Sequence, residues 1–208
     1  LALKNQFMDG RKQMKKIILA SGSPRRRELL TQIGISFEVV KAEGEEKITT
    51  DDPEEAVKEL AMQKAQEVAG RVDADVLIGA DTVVAVDGEI MGKPKDPEDA
   101  VRMIHRIQGR DHEVLTGVAV ILKKGEVETT INFAETTRVH VFPMTEEEIQ
   151  AYVVSKEPMD KAGAYGIQGL FAAYVSGIEG DYNNVVGLPV GRLYQEVKAI
   201  ADVDLRTL

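Results

Sequence analysis

The amino-acid sequence predicts an α/β fold in which helices flank a mixed, twisted sheet and two lobes enclose a central cleft. Two patterns predict it. Short apolar runs alternate with amphipathic helical segments in the first half of the chain, and β-rich segments follow one another in the middle. The first pattern is typical of strands joined by crossover helices, and the second of neighbouring antiparallel strands. A cleft between lobes is the place where a ligand is expected.

The first strand is predicted at residues 16–20, which are mostly apolar. Ser23 and Pro24 then form a helix start, because Ser is a good N-cap and Pro suits the first helical position. This helix is expected to end near Ile33, and a second strand, FEVVKA, is expected from Phe37. The beginning of the chain therefore predicts a strand, a helix and a strand.

A longer helix is predicted to begin after the N-cap Asp52 and to end near Gly70. Its apolar face carries Lys64, which lies three, four and seven residues after apolar positions. The following run, residues 76–86, is apolar on both sides of Asp81, which predicts a strand buried on both faces. The remaining predicted elements are a hairpin turn at Asp87-Gly88, a helix from Asp96-Pro97 to Gly109, strands from His112 with a turn at Lys124-Gly125, a helix with a capping box at Thr145 and Glu148, and a helix from Pro189 with Val190, Leu193, Tyr194, Val197 and Ile200 on one face.

Composition excludes several classes of protein. The 208 residues contain 26 Lys and Arg, 35 Asp and Glu and no Cys, so disulfides, thiolate nucleophiles and Cys-based zinc sites are absent. The net charge of -9 argues against binding a nucleic acid polymer, since such binding depends on many cationic contacts to phosphates. No apolar run is long enough to cross a membrane, and the first residues are too polar for a signal peptide. We therefore expect a soluble cytoplasmic protein, with an extension at 1–14 outside the site and a single two-lobed domain at 15–208.

The segment SGSPRRR, from Ser21, is the first candidate binding element. A helix N-terminus presents free backbone N–H groups and a positive dipole end, and the guanidinium groups of Arg25 and Arg26 suit phosphate oxygens. The segment matches neither the Walker nor the GxGxxG pattern. The alternative interpretation is a solvated basic first turn, although cations are unfavourable there without an anion.

Asp81 and Lys64 are the candidate catalytic and binding residues of the interior. A carboxylate within a β-branched run indicates a metal or a proton-transfer role, unless it is a structural aspartate. Lys64 either extends its ammonium to the rim of the fold or reaches a bound phosphate. Glu43, Glu45 and Glu46 form an acidic cluster that is either solvated or has one member facing Asp81 across the cleft, in which case that pair could hold Mg²⁺. Lys93 is a similar candidate among the cations.

Other polar residues give weaker signals. The three histidines, His105, His112 and His140, have neither metal-ligand spacing nor an obvious serine partner, which disfavours triads and zinc sites. Tyr165 and Gln168 lie in the Gly-rich segment DKAGAYGIQG, and a glutamine amide there could read the edge of a base because it offers a donor and an acceptor.

Six segments together resemble the Maf family of nucleotide pyrophosphatases, once called septum formation inhibitors. They are LASGSPRRRELL from Leu19, GEEK from Gly44, IGADTVV from Ile78, GEIMGKPKD from Gly88, DKAGAYGIQG from Asp160 and GDYNNVVGLP from Gly180. The resemblance extends from Ile17 to about Ile200 and its segments occur in the family's order. It is therefore more specific than any single motif.

The resemblance implies a fold like that of the inosine triphosphate pyrophosphatases, and often a homodimer. It implies hydrolysis of a nucleoside triphosphate to the monophosphate and pyrophosphate with a divalent metal, Mg²⁺ or Mn²⁺. The Gly-rich segment looks like that of the subgroup acting on dTTP and UTP. Modified pyrimidine nucleotides are a further class of substrate. By position, Asp81 matches the proton acceptor. The chemistry of the residues adds that Glu46 and Asp81 would hold the metal. Positions tied to substrate choice are Arg25, Thr82 and Gln168, and polar positions lining the site are Ser21, Arg26, Glu46, Lys64 and Lys93.

Two other functions remain open from the sequence. A non-catalytic nucleotide-binding regulator of cell division would use the same phosphate-binding residues without turnover. A phosphomonoesterase would release inorganic phosphate, but the chain has no recognisable nucleophile motif for it.

Overall fold

A seven-stranded mixed sheet forms the centre of the molecule. The computed structural model describes residues 16–208, so the predicted extension at 1–14 lies outside the described residues. The strand order is β2-β1-β3-β5-β6-β7, with β4 paired to β3; β1 is parallel to β2 and β3, and the other pairs are antiparallel. This confirms the mixed α/β class. The strands are β1 (Ile17–Leu19), β2 (Glu38–Val39), β3 (Val76–Val86), β4 (Glu89–Met91), β5 (Asp111–Lys124), β6 (Val127–Val141) and β7 (Val175–Glu179).

Helices begin where the sequence places capping residues. Ser23 caps the first helix by accepting a hydrogen bond from the backbone N–H of Arg26, and Thr145 and Glu148 form a reciprocal capping box. The helices are α1 (Pro24–Gln32), α2 (Pro53–Ala69), α3 (Pro97–Ile107), α4 (Glu146–Val154), α5 (Tyr182–Val186) and α6 (Val190–Ala201), with short 3₁₀ turns at Glu157–Asp160, Ala162–Ala164 and Leu170–Tyr174. No helix in this described part is long and apolar enough to span a membrane.

Two sequence predictions differ from the structure, and one helix was not predicted. The FEVVKA strand has only two paired residues, because its partner β1 is itself only three residues long. Ile200 is 54% exposed rather than on the buried face of α6. At the end of α6, Asp202 takes a left-handed conformation with φ 51°, and the returning chain buries Leu205 in the core. The short helix α5 was not predicted.

Helix α2 packs directly against the sheet backbone. A Cβ atom added to Gly79 would lie 2.3 Å from the carbonyl oxygen of Ala61, and one added to Gly117 would lie 2.0 Å from that of Val57. Only glycine permits this approach, because any side chain would push the helix away. The close packing fixes the distance between α2 and β3, the two elements that carry Lys64 and Asp81.

The middle of β3 is open along one edge. Strand β1 pairs with residues 76–78 of β3, and β4 pairs with residues 84–86, so within the described chain residues 79–83 have no strand partner on that side. One hydrophobic core, around α1 and α6, lies towards β1, and another, around α3 and α4, lies towards β4. The opening between them exposes β3 at the position of Asp81.

Candidate active site

A cavity of about 490 Å³ occupies this opening in the sheet. Its volume is in the usual range for a small-molecule site. The structure brings every predicted site residue to the cavity lining: Ser21, Arg25, Arg26, Glu46, Lys64, Asp81, Thr82, Lys93 and Gln168. They come from α1, α2, β3 and four connecting segments, so the fold assembles them from distant parts of the chain.

The ammonium of Lys64 bridges two carboxylates. Its Nζ contacts Oδ1 of Asp81 and lies 3.0 Å from Oε1 of Glu46. The side chains of Lys64 and Asp81 are only 16% and 14% exposed, whereas Glu46 is more than half exposed. Both interpretations of Lys64 from the sequence were incomplete, because the ammonium is directed to an internal ion pair that also neutralises the carboxylate of Asp81.

Glu46 and Asp81 form a suitable donor pair for a hard divalent cation. Their oxygens converge on one position, which the Lys64 ammonium occupies. Mg²⁺ commonly binds through one or two carboxylates, with substrate phosphates and water completing its octahedral shell. Among residues 16–208 no group of three or more acidic or histidine residues could hold a metal without other ligands. The residues therefore fit a cation that arrives with a polyphosphate.

Arg26 is held mainly by the protein itself. Its Nε donates to the Gly187 carbonyl oxygen at 2.8 Å, Nη1 donates to Ser21 Oγ at 3.0 Å and to the Ala80 carbonyl oxygen at 2.9 Å, and Nη2 donates to Thr82 Oγ1 at 2.9 Å. Burial lowers the pKa of Arg26, and the charge of Asp81 opposes this shift. A guanidinium has five N–H groups, so one remains for a ligand. The sequence predicted a phosphate ligand for Arg26, but most of its donors bind protein oxygens, two of them on the open edge of β3.

Only part of the arginine cluster faces the cavity. Arg25 lines the cavity near the start of α1, whereas Arg27 lies on an exposed outer face with Glu28 and Thr31. Ser21 is buried, and its Oγ also accepts a hydrogen bond from the backbone N–H of Ser23. The three consecutive arginines therefore have three different environments, as helical rotation of about 100° per residue requires.

The remaining predicted residues differ in how firmly they are held. Thr82 Oγ1 lies 2.9 Å from Thr116 Oγ1 and accepts the Arg26 contact, so its hydroxyl is fixed from both sides. Lys93 and Gln168 are exposed and line the cavity from the segment after β4 and from the Gly-rich segment. In the acidic cluster only Glu46 lines the cavity, whereas Glu43 pairs with a surface arginine at 3.6 Å.

Lys41 and Lys161 also line the cavity but were not predicted as site residues. Lys41 follows the carboxyl end of β2, and ligands of open α/β sheets bind outside the carboxyl ends of parallel strands, so its position was a usable signal. Lys161 donates from Nζ to the Glu157 carbonyl oxygen at 2.7 Å and to Asp160 Oδ1 at 2.8 Å. Its place within the Gly-rich segment was the only signal for it.

The cavity has two chemically different walls. We call Glu46, Lys64 and Asp81 the carboxylate wall. It lies on the face of the sheet covered by α2, because Asp81 is on the same face of β3 as Leu77 and Val83, which pack on that helix. Thr82 and Val84 point to the opposite face. There Val84, Val114, Tyr165 and Ile167 form the apolar wall. The cavity thus joins a charged region to an apolar one across the open edge of β3.

Comparison with known families identifies the chain. The family described as Maf-like protein matches residues 16–200, which is nearly all of the described structure. The chain belongs to this family. The resemblance in its six sequence segments is thereby confirmed, and the cavity contains residues from each of these Maf segments.

Curated relatives of this Maf-family chain are similar over almost their whole length. A protein of Agathobacter rectalis named dTTP/UTP pyrophosphatase is 53% identical over 90% of this chain and 98% of its own. A protein of the same name from Bacillus cereus strain G9842 is 50% identical over 92% and 98%. The solved Ham1 protein of Staphylococcus aureus is 15% identical over 61% of this chain and 72% of its own, with a TM-score of 0.43. The α/β class itself is established by the sheet.

Proposed function

We propose that this Maf-family protein hydrolyses dTTP and UTP to the nucleoside monophosphate and pyrophosphate. Relatives at 50–53% identity carry the name dTTP/UTP pyrophosphatase over nearly their full length. The observation that carries the proposal is the carboxylate of Asp81, largely buried beside Lys64 in a cavity that also offers Arg25 and Lys93. This combination suits phosphoanhydride hydrolysis, which depends on charge neutralisation and an aligned water rather than on a covalent nucleophile.

Asp81 is the proposed proton acceptor. A water molecule beside it would attack the α-phosphorus and lose its proton to the carboxylate, while the bond to the β-phosphate breaks and pyrophosphate leaves. The absence of cysteine and of a serine–histidine arrangement agrees with direct attack by water. In the structure the Asp81 carboxylate is paired with the ammonium of Lys64.

The cations of the cavity are the proposed phosphate-binding groups. Arg25 and Lys93 line the cavity, and neither forms a salt bridge within residues 16–208; the α1 start adds its dipole. When Mg²⁺ or Mn²⁺ is bound, Glu46 and Asp81 would hold it, and the metal would neutralise phosphate charge. Lys64 would then exchange its carboxylate partners for phosphate oxygens. Arg26, with four protein hydrogen bonds, would support this site by holding Ser21 and Thr82 in place.

Base choice is proposed to depend on Arg25, Thr82 and Gln168, and modified pyrimidine nucleotides are a further candidate class. Gln168 is exposed towards the cavity and its amide can pair with a base edge. Replacing Gln168 by Lys removes the acceptor and should change the ratio of kcat/KM values for dTTP, UTP, dCTP and dATP. An unchanged ratio would remove Gln168 from the specificity assignment.

The function is tested by measuring products. Purified protein is incubated with dTTP or UTP and MgCl₂, and pyrophosphate and inorganic phosphate are quantified separately, with MnCl₂ and EDTA as further conditions. We expect equimolar monophosphate and pyrophosphate, with Asp81→Asn losing activity by about 10²- to 10³-fold while still binding nucleotide. Intact bound nucleotide without turnover would instead indicate a non-catalytic regulator. Release of inorganic phosphate alone would indicate a phosphomonoesterase.

A homodimer and a cytoplasmic location complete the proposal. The cytoplasm is where dTTP and UTP are made and used, and the family resemblance suggests pairing of two chains. Sedimentation equilibrium at micromolar protein concentration tests the dimer. A mass near 22.8 kDa, that of a single chain, would contradict it.

A further inference from the structure

His112 and Tyr165 form a buried polar pair behind the cavity. His112 Nε2 and the Tyr165 hydroxyl are 2.7 Å apart, and the two rings meet edge to face with centroids 5.1 Å apart. The residues are only 3% and 5% exposed. Among the described residues His112 Nδ1 has no hydrogen-bond partner, so the contact with Tyr165 is the polar interaction that this ring makes. Nothing in the proposed chemistry at Asp81 uses the pair.

The pair lies at the apolar wall of the cavity. Tyr165 lines the cavity directly, and His112 stands behind it on β5, two residues from Val114 and on the same face of the sheet. Phe171 packs on the Tyr165 ring with a centroid distance of 4.7 Å. The segment that carries Tyr165 is pressed against β3, since a Cβ on Gly163 would lie 2.6 Å from the side chain of Val84. The hydroxyl of Tyr165 thus has one fixed orientation.

The separation of the two walls indicates which part of a nucleotide each can accept. A polyphosphate carries several negative charges and needs cations, such as Lys64 beside Asp81. A nucleoside offers a flat, largely apolar base and sugar, which match Val84, Val114 and the Tyr165 ring. An inorganic polyphosphate would therefore use only the charged region of the cavity.

We propose that Tyr165 forms the nucleoside-binding surface of the cavity and that His112 is a positioning residue, which fixes the Tyr165 ring through its hydroxyl. The inference rests on the proposed nucleotide substrate. Histidine suits this role because burial lowers the pKa of His112 to about 4. The imidazole is then neutral above pH 5, so the apolar wall carries no charge and the hydrogen bond persists through the neutral range.

Five variants test the inference: His112→Leu and Tyr165→Phe remove one partner each, their double variant removes both, His112→Gln keeps a hydrogen-bonding group, and His105→Leu makes the same change at an exposed histidine. Affinities for dTTP are measured by calorimetry without divalent metal, and tripolyphosphate, which lacks a nucleoside, is measured in parallel. Thermal unfolding checks that each variant folds. Steady-state kinetics with UTP and dTTP adds the values of KM and kcat.

We expect His112→Leu and Tyr165→Phe to weaken dTTP binding and raise its KM by about 10-fold, since a lost partner leaves a buried polar group unsatisfied. Tripolyphosphate affinity and kcat should stay within about 2-fold of wild type. The double variant should be no weaker than either single one, His112→Gln should recover most of the affinity, and His105→Leu should match wild type.

Two results would overturn the inference. If dTTP and tripolyphosphate weaken by the same factor, the pair supports the whole cavity rather than its nucleoside region. If Tyr165→Phe binds dTTP as wild type does, the hydroxyl does not position the ring; thermal unfolding shows in the same samples that the variant is folded. A wild-type protein that neither binds dTTP nor turns it over with MgCl₂ would contradict the proposed function, whereas equal dTTP binding by wild type and variants contradicts only the role of the pair.

Discussion

The start of α1 and the middle of α2 each bring a largely buried cation to the same cavity, but they hold it differently. Arg26 on α1 is bound by neutral oxygens, including the carbonyls of Ala80 and Gly187, which belong to the framework. Lys64 on α2 is bound by the carboxylates of Glu46 and Asp81. A cation held by backbone carbonyls stabilises the fold, whereas one held by two anions can exchange with another cation.

The largest effect is expected when Lys64 loses its charge, and it is measured as enzymatic activity. Lys64→Met keeps the length of the side chain but removes its charge, so phosphate binding and the placement of Asp81 are both lost. We expect kcat/KM for dTTP to fall by about 10²- to 10³-fold. Arg27→Met, on the exposed outer face of α1, is the matched control and should retain wild-type kcat/KM. A Lys64 variant with near-normal turnover would show that the ammonium only neutralises Asp81 in the empty site.

The next largest effect is expected from a substitution that moves α2 without altering a charged residue. Gly117→Ala places a methyl group 2.0 Å from the Val57 carbonyl oxygen, so the helix must shift. We expect the free energy of unfolding to fall by about 3 kcal/mol, and the activity to fall with it because Lys64 moves away from Asp81. The control is Gly191→Ala in α6, where a Cβ meets nothing within 4 Å. Since alanine favours helix, this control should gain up to about 1 kcal/mol in denaturant unfolding.

A third variant tests the framework role of Arg26. Arg26→Lys keeps the positive charge, but its single nitrogen cannot reach all the positions that the three guanidinium nitrogens reach, so carbonyl oxygens of Ala80 and Gly187 lose their partners. We expect a loss of about 2 kcal/mol in urea unfolding. Unchanged stability together with lost dTTP binding would reverse the comparison and make Arg26 a phosphate ligand.

The smallest expected effect concerns His140 near the end of β6, which also lies between two carboxylates but is partly exposed to solvent. Its Nδ1 is 2.6 Å from Asp111 and its Nε2 is 3.3 Å from Glu179. The hydrogen bond to Asp111 raises the pKa of His140 above 6.5. Its stabilising contribution is therefore complete below pH 6.5 and is lost as the pH rises through the raised value.

Unfolding of wild type and His140→Gln should accordingly differ more at pH 5.5 than at pH 9, and 1 M NaCl should reduce the difference because exposed charges are screened. A difference that grows with pH would contradict the assignment. The same arrangement of a cation between two anions thus has a small effect on the surface and a large one in the cavity.

Much of the fold could be predicted from local sequence. Ser23, Asp52 and Thr145 cap the helices that the sequence predicted, and residues 76–86 form the predicted buried strand. The predictions failed where partners at a distance decide the outcome. The second strand is short because β1 ends early, and Ile200 is exposed because Leu205 covers that part of the core.

The candidate site divides in the same way. Periodicity placed Lys64 on the inner face of α2, and the family segments pointed to Glu46, Asp81 and Gln168. Neither could give the Lys64 bridge between two carboxylates or the four protein contacts of Arg26, since those partners are distant in the chain. Lys41, Lys161 and the contact of His112 with Tyr165 also depend on distant pairing.

By itself, the sequence determined the α/β class, the helix starts and the kind of chemistry, because capping, apolar periodicity and the types of charged side chain act over a few residues. The tertiary structure alone decided which cation is paired with carboxylates in the cavity and which one is held by neutral oxygens of the protein. It did so by leaving β3 open between β1 and β4, so that charges from α1 and α2 meet at Asp81 on one strand.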